Sequence, residues 1–215
     1  MGKLRVDQVP VQGKTVLVRV DFNVPLKDGA VRDDTRLKAA LPTLQYLRSN
    51  EARVVLMSHL GRPKGTIKPE LSLRPVAAYL GTLLGTEVVF SPEIVGPAAQ
   101  AAKNALPPGG VLLLENLRFD PREEKNDPGF AQELAALGDL FVSDAFGTVH
   151  RAHASTVGVA AHFTQSACGL LIAKELAFLG QVVLSPPRPF VAVLGGAKVG
   201  DKIAVIRNLL EQADV

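Results

Sequence analysis

Five short apolar runs, at residues 15–20, 53–57, 87–90, 111–114 and 140–143, alternate along this chain with stretches whose apolar residues recur at helical spacing. A strand that is apolar on both faces has to be covered on both faces. The alternation therefore predicts an α/β fold: a Rossmann-like parallel sheet with helices on both sides. Between the first two runs, Asp28-Gly29 predicts a small hairpin. Asp33-Asp34-Thr35 then opens a helix carrying Leu37, Leu41, Leu44 and Leu47, with Pro42 as a candidate kink. Further helices are expected over 73–84, 94–106 and about 130–137, the one over 94–106 stopped by the Pro-Pro-Gly-Gly of 107–110.

The chain has 215 residues, 47% of them hydrophobic, enough for one large domain or one and a half. Residues 169–184 read as one long helix, with Leu170, Leu171, Ala173, Leu176, Phe178 and Leu179 on its apolar stripe. It runs into a proline cluster at 185–189, a boundary signal. The expected organisation is a first lobe over 1–168, an interdomain helix and hinge over 169–189, and the start of a second α/β lobe over 190–215. That second piece would hold one buried strand at 190–194 and one helix at about 202–212. A rigid interlobe spacer fits residues 169–189 as well as a hinge does, because hinge residues carry no diagnostic composition.

A net charge of +3 lacks the charge density of a nucleic-acid binder, and the apolar runs are too short to cross a bilayer. One cysteine, Cys168, excludes an internal disulfide framework and fits a cytoplasmic protein. Nucleic acid and membrane are accordingly not expected as partners, and the protein is expected to be a monomer.

Four of the runs end in polar and basic clusters: Arg19-Val-Asp21-Phe-Asn23, Ser58-His59-Leu-Gly61-Arg62, Glu115-Asn116-Leu-Arg118 and Asp144 through Arg151. In a parallel sheet these share the carboxyl edge, where open α/β folds bind ligands. Arg36, Arg62, Arg118 and Arg151 carry permanent charge on a planar fork that matches phosphate or carboxylate oxygens. Each alone also fits a solvated surface residue, but four at strand ends point to a small polyanion. Asp21 and Asn23 suit substrate hydroxyls or, equally, a turn after the strand.

His59, His150 and His153 lack the companion ligands of a zinc site, so they are expected to hydrogen-bond to an anion or to backbone, and no metal site is expected in the chain; His162 is expected to be structural. The Gly195-Gly-Ala-Lys198-Val-Gly200-Asp-Lys202 segment could meet phosphate at a helix start, or be an ordinary glycine turn with surface lysines. It is not a Walker A loop, since no Ser or Thr follows the lysine.

In order along the chain, RVDFNVP, SHLGRP, LENLRF, DAFGTVHRAHAS and GGAKVGDK closely resemble the phosphoglycerate kinase family. The resemblance implies two Rossmann-like lobes, one for 3-phosphoglycerate and one for ATP or ADP with Mg2+. It also implies reversible phosphoryl transfer between ATP and the carboxylate of 3-phosphoglycerate, giving 1,3-bisphosphoglycerate and ADP in glycolysis. Asp21, Phe22, Asn23, Arg36, His59, Leu60, Gly61, Arg62, Arg118 and Arg151 would line the phosphoglycerate site. Lys198 and Lys202 would serve the nucleotide, and Arg36 and Lys198 would be catalytic. Members of the family are about twice this long, so the chain is expected to be a truncation, inactive alone, with the Mg2+ ligands in the missing part. The alternative is a noncatalytic phosphoglycerate-binding fragment.

Overall fold

The five apolar runs become five strands of one six-stranded sheet, all of whose pairings are parallel. A computed structural model describes residues 3–184, 186–195, 203–211 and 213–214. In chain order the elements are β1 (Thr15–Val20), β2 (Leu26–Lys27), β3 (Ala30–Val31), α1 (Thr35–Ser49), β4 (Arg53–Met57) and α2 (Arg74–Leu84). Then come β5 (Val88–Phe90), α3 (Pro97–Asn104), β6 (Val111–Leu113), α4 (Pro128–Ala135), β7 (Leu140–Asp144), β8 (Ser166–Cys168), α5 (Leu170–Leu184) and α6 (Ile203–Leu210). Contacts divide the chain into two units, Met1–Ala173 and Lys174–Val215, and the division falls inside α5.

In the first unit the strand order is β5-β6-β4-β1-β7-β8. Alternation along each strand splits the core in two. Val16, Val18, Val54, Leu56 and Val111 pack with Leu37, Leu44, Val76 and Leu80 of α1 and α2. Leu17, Val55, Met57, Leu112 and Phe141 pack on the opposite face with Ala99 of α3 and Phe130 and Leu134 of α4. Each fully buried leucine contributes about 2 kcal/mol of transfer free energy, so both faces are needed to hold the sheet. Links from β1 and β4 pass over one face, and those from β5, β6 and β7 over the other. Adjacent strands whose links diverge open a crevice at their carboxyl ends, here between β6 and β4 and again between β1 and β7.

Three differences from the sequence reading have local causes. Pro42 lies inside an uninterrupted α1, on its exposed face. The third helix starts three residues later than expected, because Gly96 sits at φ 109° and Pro97 takes the first helical position. The edge strand β8 was not expected at all: Ser-Ala-Cys has no β-branched residue to signal it. The hairpin forms as expected, with Asp28 and Gly29 both at positive φ.

In the second unit, residues 190–194 run without strand structure, and Val191, Val193 and Leu194 are exposed where a buried strand was expected. A strand needs a neighbour for its ladder, and among the described residues none pairs with it. Asp214 instead ties this stretch, accepting from Arg188 Nη1 and the Phe190 N–H, each at 2.6 Å.

Candidate functional site

The loops leaving β1, β4 and β6 are fastened to one another at the carboxyl edge of the sheet. The Phe22 N–H donates to Ser58 Oγ at 2.8 Å, joining the exits of β1 and β4. Asn116, fully buried, accepts from the N–H groups of Leu60 and Arg118 and donates to the carbonyls of Leu60 and Leu71. Asn23 Oδ1 accepts from the Gly61 N–H at 2.9 Å, while Arg118 Nη1 donates to the Gly61 carbonyl at 2.7 Å. Gly61 has φ 63°, and a β-carbon there would lie 2.7 Å from Leu71 Cδ2, so the turn between these two contacts requires glycine.

The guanidinium groups gather on this frame. Arg36 Nη1 lies 2.6 Å from Asp21 Oδ2 with its side chain half exposed. Arg118 is buried, and its Nε has no aligned acceptor although Glu124 Oε1 is 3.3 Å away. Burial, and then the charges of Arg151 and Arg62, pull its pKa down against the opposite pull of Glu124 and Glu123. Arg62 is exposed and Arg151 half-buried. A guanidinium remains charged through such shifts, so this is a cationic cluster held together at a cost that a bound polyanion would offset.

Burial holds His59 neutral, helped by the charges of Arg19, Arg118, Arg151 and Arg36, with its pKa pushed down to about 2. Its Nδ1 lies 3.2 Å from Arg19 Nη2. His153 is also pulled down by burial, with its Nδ1 3.7 Å from Glu123 Oε1. His150 and His162 are exposed.

The sequence-predicted residues thus fall into groups. Asp21, Asn23, Arg36, His59, Gly61, Arg118 and Arg151 lie within one network of contacts and mutual charge, which the exposed Arg62 joins through its charge on Arg118. Phe22 and Leu60 are buried, their side chains within the core, so what they bring to the site is backbone. Lys198 and Lys202 lie outside the described residues. Sequence reasoning placed Arg19 in an edge cluster without giving it a site role and missed Glu123 and Ser155; all three are buried. A positive charge inside an otherwise apolar strand was the one available signal for Arg19.

Among the described residues no group of three or more potential metal ligands comes together. A cleft of about 350 Å³ beside β5 and β6 is lined by Ile67, Ile94, Val95 and Phe119 with Glu93 and Glu115, and includes none of the clustered arginines. Its glutamates already accept from the N–H groups of Ala98, Leu73 and Asn116.

Fold and site define an α/β protein that presents converging guanidinium groups at the carboxyl edge of a parallel sheet. The phosphoglycerate kinase family model matches residues 6–215, and the chain belongs to that family. It is 60% identical over 214 residues to the phosphoglycerate kinase of Moorella thermoacetica, covering 100% of this chain and 54% of that protein. With the phosphoglycerate kinase of Chloroflexus aggregans the identity is 58% over 217 residues, again 54% of the relative. The phosphoglycerate kinase structure from Coxiella burnetii superposes with TM-score 0.87 at 39% identity, covering 99% of this chain and 53% of that one. That from Pyrococcus horikoshii gives 0.88 at 36% identity, covering 99% and 54%. The chain spans about half the length of the curated relatives it matches. No helix among the described residues is long and apolar enough to cross a membrane.

Proposed function

We propose that this chain is the acid-binding half of a phosphoglycerate kinase that moves a phosphoryl group between ATP and the carboxylate of 3-phosphoglycerate, forming 1,3-bisphosphoglycerate and ADP. The gathering of Arg19, Arg36 and Arg118 on one hydrogen-bonded frame at the sheet edge, with Arg151 near enough for its charge to act on His59, carries this reading, since it supplies several fixed positive charges within one small site. The cluster takes the phosphate and carboxylate of the acid. Asp21 orients Arg36, and Asn23, whose oxygen already serves Gly61, holds the loop that Arg118 grips from the other side.

No general base is required, because a carboxylate with pKa near ~3.5 is ionised at neutral pH. The residues align and stabilise charge, as phosphoryl transfer demands. Arg36 faces the moving phosphoryl from this lobe, with Lys198 reaching it from the nucleotide side and Lys202 meeting the nucleotide phosphates. Mg2+ enters with ATP or ADP as part of the substrate; the described residues provide no cage for it. The two lobes of the complete protein close by a hinge over 169–189, and the working unit is a cytoplasmic monomer.

Titration calorimetry of the chain with 3-phosphoglycerate and, separately, with ATP tests the assignment. Saturable binding of the acid is expected, with negligible ADP formation when both substrates and Mg2+ are supplied. No heat with 3-phosphoglycerate would overturn the reading of the site, and robust turnover would overturn its assignment as half of a catalyst.

A further inference from the structure

Glu123 stands in a polar loop between Arg122 and Glu124, yet its side chain is fully buried. Both its oxygens are taken by Ser155: Oε1 accepts the hydroxyl at 2.6 Å and Oε2 the backbone N–H at 3.0 Å. A hydroxyl has one proton, and here it goes to the carboxylate. The Ser155 lone pairs therefore face Arg19 Nε, 2.9 Å away. Arg19 has only donors to offer, so the His59 Nδ1 that it meets at 3.2 Å is a lone pair. A neutral imidazole with a bare Nδ1 carries its proton on Nε2.

Glu123 sets the Ser155 end of this chain and the donor-only guanidinium sets the His59 end, so what Glu123 and Ser155 contribute is the place in which Arg19 is held. Charge points the same way. Arg19 is pulled down chiefly by burial, and Glu123 is the strongest opposing charge, ahead of Asp21.

We propose that Glu123 is a positioning residue of the anion site: through Ser155 and Arg19 it fixes His59 as the Nε2–H tautomer, so that the ring donates a hydrogen bond to an oxygen of bound phosphoglycerate. The identity of that ligand rests on the function proposed above; the tautomer does not. Without this arrangement the ring could equally hold its proton at Nδ1 and turn a lone pair toward an anion, which would repel it.

The test is imidazole nitrogen NMR on the 15N-labelled chain, with calorimetry against 3-phosphoglycerate, for wild type, Ser155→Ala and Glu123→Gln. Ser155→Ala cuts the link but leaves the carboxylate; Glu123→Gln keeps the size and removes the fixed acceptor. Wild-type His59 is expected to show Nε2–H. Both variants are expected to move toward a mixture of tautomers and to lose affinity by about tenfold or more, as for a weakened hydrogen bond to a charged group. A wild-type ring protonated at Nδ1 overturns the proposal. So does lost affinity with an unchanged Nε2–H signature, or a shifted tautomer with undiminished affinity. If Glu123→Gln fails to fold, Ser155→Ala decides alone. A tautomer that shifts as expected in a chain that never binds 3-phosphoglycerate would sink the proposed function and leave the positioning role standing.

Discussion

A β-carbon placed on Gly147 would stand 2.7 Å from Oδ2 of Asp21, the oxygen that receives the Arg36 guanidinium. Gly147 is exposed, and the atom it would strike is the end of a rotatable side chain. Gly147→Ala should therefore cost under ~1 kcal/mol of stability, the range of ordinary surface changes. It should nevertheless displace the Asp21 carboxylate and release Arg36, weakening 3-phosphoglycerate binding about tenfold, the effect of losing a charged hydrogen bond. Thermal melting paired with calorimetry separates the two, and undiminished affinity would exclude the Asp21–Arg36 pair from the site.

Gly169 makes the opposite case within the same unit. Its β-carbon would fall 2.2 Å from Cγ of Asp144, and that carboxylate is 1% exposed, with Oδ1 already accepting from the Ile172 N–H. Nothing can swing away. Gly169→Ala is expected to cost ~3 kcal/mol or more, as overpacking in a closed core does. Urea unfolding measures it, and a midpoint close to wild type would mean that the start of α5 can shift freely against β7.

The central strands were legible because burial on both faces leaves a continuous apolar signature, and the arginines that follow them were legible from the position alone. Side-chain depth was not. Glu123 reads as one more charge in a solvated loop, and only the fold of residues 154–158 over that loop, bringing Ser155 to it, makes it a buried acceptor. Arg19 stood in an edge cluster, but its depth was hidden for a related reason: it alternates onto the face packed by α4, where its partner Ser155 is 136 residues away in sequence. Long-range pairings of this kind leave no periodicity to read.

Arg36 is exposed and makes its ion pair at the rim, so its removal should leave folding nearly untouched. In the two-lobed kinase proposed above, Arg36→Ala should instead lower kcat by two orders of magnitude or more, about 3 kcal/mol of transition-state stabilisation from a preorganised donor. Steady-state kinetics across both substrates checks this. A raised KM with an unchanged kcat would mean that Arg36 holds the ground state only, and would move the role to another guanidinium.

The neutral state of His59 has a consequence for acid stability. Its pKa stands at about 2 in the fold against 6.5 for the free side chain, so the unfolded chain takes up a proton that the folded chain refuses. The contribution is complete above pH 6.5 and is lost as pH falls from 6.5 toward about 2, since unfolding then binds more protons. At full effect the slope is about 1.4 kcal/mol per pH unit, or about 2 kcal/mol between pH 6.5 and pH 5. Other groups titrate over the same range, so the informative quantity is the difference between wild type and His59→Gln, which cannot be protonated. Chemical denaturation of both from pH 7.5 to pH 5 should show wild type losing stability the faster, with the two curves diverging below pH 6.5. Parallel curves would mean that the imidazole takes its proton inside the fold, and the lone pair that faces Arg19 would not be there.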